Sequence, residues 1–192
     1  MSIILIRGYS HSGKDFAGNI LCTQYGYQRV AFADSLKQMV ADLYPISIEM
    51  LHTQEGKRQI CEQDPLKRTY RQILIDEAIR VRTIDDNCFA KACCQEIQQK
   101  NMERVVITDW RYPNELEVVQ SYFPHRTILP LCVVRSSQKE SPVCDRSEYQ
   151  LQNRQHDYTL INNMDESLYQ EIDTFMNSSN LRLHSHPIQK AE

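Results

Sequence analysis

Residues 3–16 read Ile3-Ile4-Leu5-Ile6-Arg7-Gly8-Tyr9-Ser10-His11-Ser12-Gly13-Lys14-Asp15-Phe16. A short unbroken apolar run ending at a glycine predicts a strand over 3–7, buried on both faces. After Lys14, the residues Phe16, Ile20 and Leu21 recur at helical spacing and Gly26 closes the run, so a helix is expected over 14–24. Between the two, Gly8 to Asp15 fits G-x-x-x-x-G-K-[ST] except at its last position, where Asp15 replaces Ser or Thr. The frame has a physical reason. Phosphate oxygens need several N–H donors aimed at one point, and glycines let the backbone curl into that nest. The helix adds the positive end of its dipole, and Lys14 adds a mobile point charge for the outer phosphates. Gly8, His11, Ser12, Gly13, Lys14, Asp15 and Phe16 are therefore the expected nucleotide-phosphate contacts. The plainer alternative is a glycine turn before an ordinary helix.

Downstream, the pattern repeats. Residues 28–32 predict a second strand, and Asp34 or Ser35 can cap a helix through Leu43. Strand, helix, strand, helix favours a parallel sheet wrapped by helices. The stretch 46–65 is polar, broken by Gly56 and Asp64-Pro65, and gives no clear pattern. Helices are expected at 66–82 and 86–100. Residues 104–108 predict another doubly buried strand, with Asp109-Trp110-Arg111-Tyr112-Pro113-Asn114-Glu115 at its carboxyl end and Pro113 suited to a helix start. A strand at 127–134 is interrupted or flanked by Pro130, and a last one at 157–161 leads to a helix capped by Asp165. Residues 135–148 are polar and turn-rich, either a mobile lid or a solvated loop. The organisation expected is one domain over 1–177, with a helical region at about 44–100, a lid at 135–148 and a loosely held tail at 178–192.

Bulk properties narrow the partners. A chain of 192 residues, 41% apolar, can bury a substantial core. The formal net charge of −3 provides no basic field, so nucleic acid is not an expected partner. The seven cysteines are odd in number, irregularly spaced and lack a C-x-x-C pair. That argues against zinc and against a disulfide framework, and for a reducing, cytoplasmic setting in which each is a small buried hydrophobe. No run approaches ~18 apolar residues, and the N-terminus lacks the regions of a signal peptide, so no membrane association is expected. A homodimer stays open.

Taken in order, several motifs resemble one family. They are Gly8-x4-Gly13-Lys14-Asp15, Val30-Ala31-Phe32-Ala33-Asp34-Ser35-Leu36-Lys37, the helix with Arg71 and Arg82, Asp109-x-Arg111-Tyr112-Pro113-Asn114-Glu115, Ser147-Glu148, and Asp157-x3-Ile161-Asn162. The set is similar to the deoxynucleoside monophosphate kinases of phages and large DNA viruses, in which Asp after the loop lysine is usual. The chain also resembles animal phosphomevalonate kinase in Ser12-Gly13-Lys14-Asp15-Phe16, in Asp-x-Arg after a strand, and in Ser147-Glu148 upstream of Asp157. There are two departures from the phage pattern. Phe16 stands where Thr is usual, and Asp76-Glu77-Ala78-Ile79-Arg80-Val81-Arg82 lacks the Gly-Thr-Glu before the second helical arginine.

The resemblance implies a three-layer P-loop kinase with a central parallel sheet of about five strands and a lid. It also implies transfer of the γ-phosphoryl group from ATP, with Mg²⁺, to a deoxynucleoside monophosphate. Such transfer is mostly positioning and charge neutralisation, so it needs a nest, a metal and arginines from several directions. Asp15 would meet Mg²⁺ directly or through water, or simply favour the helix start. Asp109 would hold a magnesium water or orient the acceptor. Arg111 would clamp the acceptor phosphate, or else pair structurally with Asp109. Lys37 would meet the acceptor phosphate, with Asp34 either assisting or only capping. Arg71 and Arg82 are the expected acceptor contacts among the basic residues of their helix, which otherwise form a solvated face. Arg135 or Arg146 would close over the transferring group. Asn162 would face the donor adenine by analogy. Tyr70, Phe89 and Trp110 would form aromatic walls for a base. The alternatives are a phosphomevalonate-type kinase and a non-catalytic nucleotide-binding regulator.

Overall fold

A computed structural model describes residues 1–44, 46–137, 150–151, 158–179 and 181. In chain order the elements are β1 (Ser2–Arg7), α1 (Lys14–Tyr25), β2 (Gln28–Val30), α2 (Ala33–Leu43), α3 (Ile48–His52), α4 (Gln54–Arg58), α5 (Tyr70–Ile84) and α6 (Cys88–Gln99), followed by β3 (Arg104–Ile107), α7 (Pro113–Tyr122), β4 (Thr127–Arg135), β5 (Tyr158–Asn162) and α8 (Ser167–Ser178). They divide into two compact units, Met1–Val30 with Asn101–Glu192, and Ala31–Lys100.

The first unit holds a five-stranded sheet in the order β2-β3-β1-β4-β5, with every pairing parallel. The central strand is β1, and Ile3 to Ile6 are fully buried, as an apolar run covered on both faces should be. On one face Ile4, Ile6, Val106, Leu131, Val133 and Leu160 meet Ala17, Ile20 and Leu21 of α1 and Leu168, Ile172, Phe175 and Met176 of α8. Cutting Ile4 or Ile6 back to Ala would cost about 2–5 kcal/mol of cavity and lost burial. The register pairs Leu5 with Ile107 and Arg7 with Cys132, which brings the carboxyl ends of β1, β3 and β4 to one edge. Pro130 does not interrupt β4. It pairs with Leu5 at a point where β5, whose pairing starts at Leu131, has not yet begun, so its missing N–H breaks no second ladder.

The second unit is helical, and here the sequence reading needs correction. Residues 46–65 hold two short helices, and Thr53 caps α4 by accepting from the Gly56 N–H at 3.0 Å. Helix α5 starts at Tyr70 rather than 66. A capping box at Thr69 and Gln72 sets that start, with the Thr69 N–H donating to Gln72 Oε1 at 2.8 Å and the Gln72 N–H to Thr69 Oγ1 at 3.3 Å. Neither Asp34 nor Ser35 caps α2. Phe32 takes the N-cap position without a side-chain cap, and Asp34 lies inside the first turn. The unit also takes in α2, which the sequence reading grouped with the wound sheet. Cys93 and Cys94 are buried, and burial pushes the Cys94 thiol up to about 12, in keeping with a small inert hydrophobe.

Most of the expected lid (138–148 of 135–148, with Arg146, Ser147 and Glu148), Asp157, and residues 180 and 182–192 of the expected tail lie outside the described residues. Among the described residues, no helix is long and apolar enough to cross a membrane.

Candidate active site

The loop between β1 and α1 has the backbone that its glycines permit. Gly8, His11 and Gly13 all have positive φ, of 151°, 63° and 101°. A side chain at Gly8 would run into the carbonyl of Val133 on β4, and one at Gly13 into the amide of Asn162. Only glycine allows the loop to lie this close to β4 and β5. The Ser12 N–H closes a turn onto the Tyr9 carbonyl at 3.1 Å, and the Lys14 ammonium donates to the same oxygen at 2.8 Å. Ser12 is 1% exposed, and its Oγ has no hydrogen-bond partner among the described residues. Asp15 is exposed in the first turn of α1. Phe16 is 46% exposed and meets Tyr169 of α8 edge to face, with ring centroids 5.8 Å apart. The residue that departs from the phage pattern thus braces α1 against α8.

Asn162, at the end of β5, fastens this loop. Its Nδ2 donates to the Ser12 carbonyl at 2.9 Å, and its Oδ1 accepts from the Met164 N–H at 2.9 Å, where Met164 has φ 67°. Arg135 ends β4 directly opposite Asn162 in register, and its Nε is buried without a partner among the described residues.

The adjacent strand end carries Thr108, Asp109, Trp110 and Arg111. Glu115, itself buried, turns back from α7 and accepts from the Arg111 N–H at 2.8 Å and the Tyr112 N–H at 3.0 Å. This brace fixes the backbone from which the Arg111 side chain projects. Trp110 corrects an expectation. It is 2% exposed, its indole N–H donates to the Tyr112 carbonyl at 2.9 Å, and it fills the core instead of presenting a wall to a base. Tyr70 and Phe89 are buried as well.

In the helical unit, Lys37 is only 8% exposed, and its ammonium lies 2.9 Å from Asp34 Oδ1 and 3.3 Å from His52 Nδ1. Asp34 therefore orients Lys37 instead of capping, and His52 joins them without any signal in the sequence. Arg71 donates to Gln54 Oε1 at 2.5 Å. Arg82 lies over the Phe89 ring at 5.2 Å and donates to the Asp86 carbonyl at 3.1 Å. Arg68 is committed to the fold. It makes two side-chain bonds to buried Asp64, at 2.8 and 2.9 Å, and one to Asp76 at 2.7 Å. Those hydrogen bonds hold the Asp64 carboxyl at about 2 and push the Arg68 guanidinium up.

Residues 6–125 match the family model described as phosphomevalonate kinase. Comparison with curated proteins finds no match. Among solved structures, the chain is similar to a putative kinase from Chloroflexus aurantiacus, at 13% identity, covering 95% of this chain and 98% of that one, with a TM-score of 0.49. It is also similar to shikimate kinase from Aquifex aeolicus, at 12% identity, 94% and 96% coverage and a TM-score of 0.48. The APS kinase of Mycobacterium tuberculosis, as a Cys556Ala mutant, matches at 11% identity, 93% and 96% coverage and a TM-score of 0.43.

Proposed function

The chain belongs to the phosphomevalonate kinase family, and from that premise we propose that it transfers the γ-phosphoryl group of ATP to the phosphate of a small phosphorylated acceptor, first of all a deoxynucleoside monophosphate. The observation that carries a transfer reaction, beyond nucleotide binding, is the loop's companion at the next strand end. Asp109 and a backbone-braced Arg111 follow β3, whose register with β1 puts them at the edge where the loop begins. Ligands of open α/β sheets gather at that edge.

In this reading Lys14 and the backbone of the loop hold the donor phosphates, and Asn162 fixes the loop's shape. Arg135, opposite Asn162, neutralises charge on the moving group, and Arg111 grips the acceptor phosphate. In the helical unit, the buried ammonium of Lys37, oriented by Asp34 and His52, is the best-prepared anion contact, with Arg71 and Arg82 as further acceptor contacts. The region at about 44–100 then serves acceptor binding.

The residues present fit a magnesium ion. Asp15, in the first turn of α1, and Asp109, just past β3, are hard oxygen donors at the carboxyl end of the sheet. Mg²⁺ binds through one or two carboxylates, water and phosphate oxygens, so this sparse donor set suits it. Asp15 and Asp109 would hold the ion, directly or through water, and it would supply positive charge against that of the donor phosphates.

The Asp109-Trp110-Arg111-Tyr112-Pro113-Asn114-Glu115 stretch favours the nucleotide acceptor. The family match over 6–125 favours the second reading, phosphomevalonate. One experiment decides between them. The protein is incubated with ATP, Mg²⁺ and a panel of deoxynucleoside monophosphates, ribonucleotides and phosphomevalonate, and ADP and product are followed. Absence of any phosphorylated deoxynucleotide rejects the first reading, and turnover of phosphomevalonate alone establishes the second.

A further inference from the structure

The run Arg104-Val105-Val106-Ile107-Thr108 ends in a hydroxyl where a Val would continue the apolar pattern. Thr108 is 2% exposed, and its Oγ1 has no hydrogen-bond partner among the described residues. A buried hydroxyl left without a partner is costly, and such groups call for an explanation. The side chain's orientation is well defined. Its methyl Cγ2 lies against α1 so closely that a Cβ on Gly18 would sit 2.5 Å from it. Gly18 is three and four residues beyond Asp15 and Lys14, so all three share one face of the helix. The pairing of Leu5 with Ile107 puts Thr108 level with Ile6, just before the strand opens into the phosphate loop. The Trp110 N–H donates to the Ile6 carbonyl at 3.2 Å and keeps the two chains together beyond the ladder. Thr108 thus lies level with the end of β1, its methyl against the second turn of α1 at Gly18 and its hydroxyl unmatched among the described residues.

The pattern G-x-x-x-x-G-K-[ST] uses its last hydroxyl on Mg²⁺, and this chain has Asp15 there. We infer that Thr108 Oγ1 supplies the missing hydroxyl from the neighbouring strand, as an oxygen in the inner or outer shell of the ion that accompanies the donor nucleotide. The assignment rests on the kinase reading above. It also accounts for Gly18. A side chain there would push Thr108 off α1.

The test uses the whole chain, with ADP as the probe, in Mg²⁺ and in excess EDTA. Titration calorimetry measures affinity, and thermal melting measures the stability of the ligand-free protein. Thr108→Val keeps the shape and the methyl but removes the hydroxyl, and Thr108→Ser restores it. In Thr108→Val, Mg²⁺-dependent ADP affinity should fall by about tenfold or more, while ADP affinity in EDTA stays at the wild-type value. The ligand-free Tm should hold or rise by about 2 °C, because an unmatched polar atom has been removed. Thr108→Ser should bind MgADP as wild type does. Wild-type MgADP affinity in Thr108→Val overturns the inference and leaves the kinase reading intact. A lower ligand-free Tm in Thr108→Val, rescued by Ser, also overturns it, since the hydroxyl would then have a partner within the fold. If wild-type protein binds no ADP with or without Mg²⁺, the kinase reading itself falls, and the inference with it.

Discussion

The loop at Gly8–Asp15 and the knot at Asp64–Arg68–Asp76 are built from similar polar residues and treat them in opposite ways. In the knot, one guanidinium meets both oxygens of a buried carboxylate and a second carboxylate as well. Around the loop, the hydroxyls of Ser12 and Thr108 and the Nε of Arg135 are buried with no partner among the described residues. In the knot, the matched charge holds the fold together. Polar atoms buried without a match are what a ligand would complete, and they cost stability until it arrives. Arg68 is the first case, its guanidinium committed to two carboxylates of its own unit.

That contrast can be broken at either end. The largest effect is expected from Lys14→Ala, which should lower the rate of phosphoryl transfer by about a thousandfold or more while leaving the fold intact. Near wild-type turnover would remove the loop from the chemistry. Gly13→Ala comes next. Its Cβ meets the Asn162 amide and its positive φ is strained, so it should lose nucleotide binding and about 1–3 kcal/mol of stability, read by calorimetry and chemical denaturation. Arg111→Ala should raise the acceptor KM by about tenfold with ADP affinity unchanged, since a charge-assisted grip on phosphate is lost. An unchanged acceptor dependence would make Arg111 structural, like Arg68.

On the knot's side, Asp64→Asn should lower the Tm without touching donor affinity. It should also flatten the acid limb of stability. Asp64 is held at about 2, below the ordinary unfolded value of about 3.9. The folded state therefore binds fewer protons there, and the stabilisation is complete above about pH 4 and lost as pH falls toward 2. A melting series over that window in wild type and Asp64→Asn reads the difference. The smallest effect belongs to Arg80→Ala. Arg80 is 57% exposed, its partner Glu77 is one turn away on the same helix, and Tm and kinetics should stay within about 0.5 kcal/mol of wild type.

The sheet was legible because its strands are local signals. Ile3 to Ile6 and Val105 to Ile107 are apolar runs too short for helices, and the glycines beside the first of them name the loop. The helical unit was harder to read. The start of α5 depends on a reciprocal pair, Thr69 with Gln72, placed after a segment pinned by Asp64 and Arg68, and no periodicity announces it. Trp110 misled for a related reason, since an aromatic beside a catalytic-looking aspartate carries no mark of which way it points. His52 and Thr108 matter only through what lies near them in space. Lys37 and His52 are brought together by the packing of α2 on α3, and Thr108 meets α1 through the sheet register.

Asn162 has a consequence for how little chemical change the protein tolerates at that point. Its amide nitrogen and oxygen have opposite tasks, one giving a hydrogen bond to Ser12 and the other taking one from Met164. Spontaneous hydrolysis of that amide would leave a side chain of almost the same shape. It would also turn the giving atom into an oxygen facing the Ser12 carbonyl oxygen. A single-atom lesion of the kind that accumulates as proteins age would then unfasten the phosphate loop from β5 while the rest of the sheet kept its hydrogen bonds.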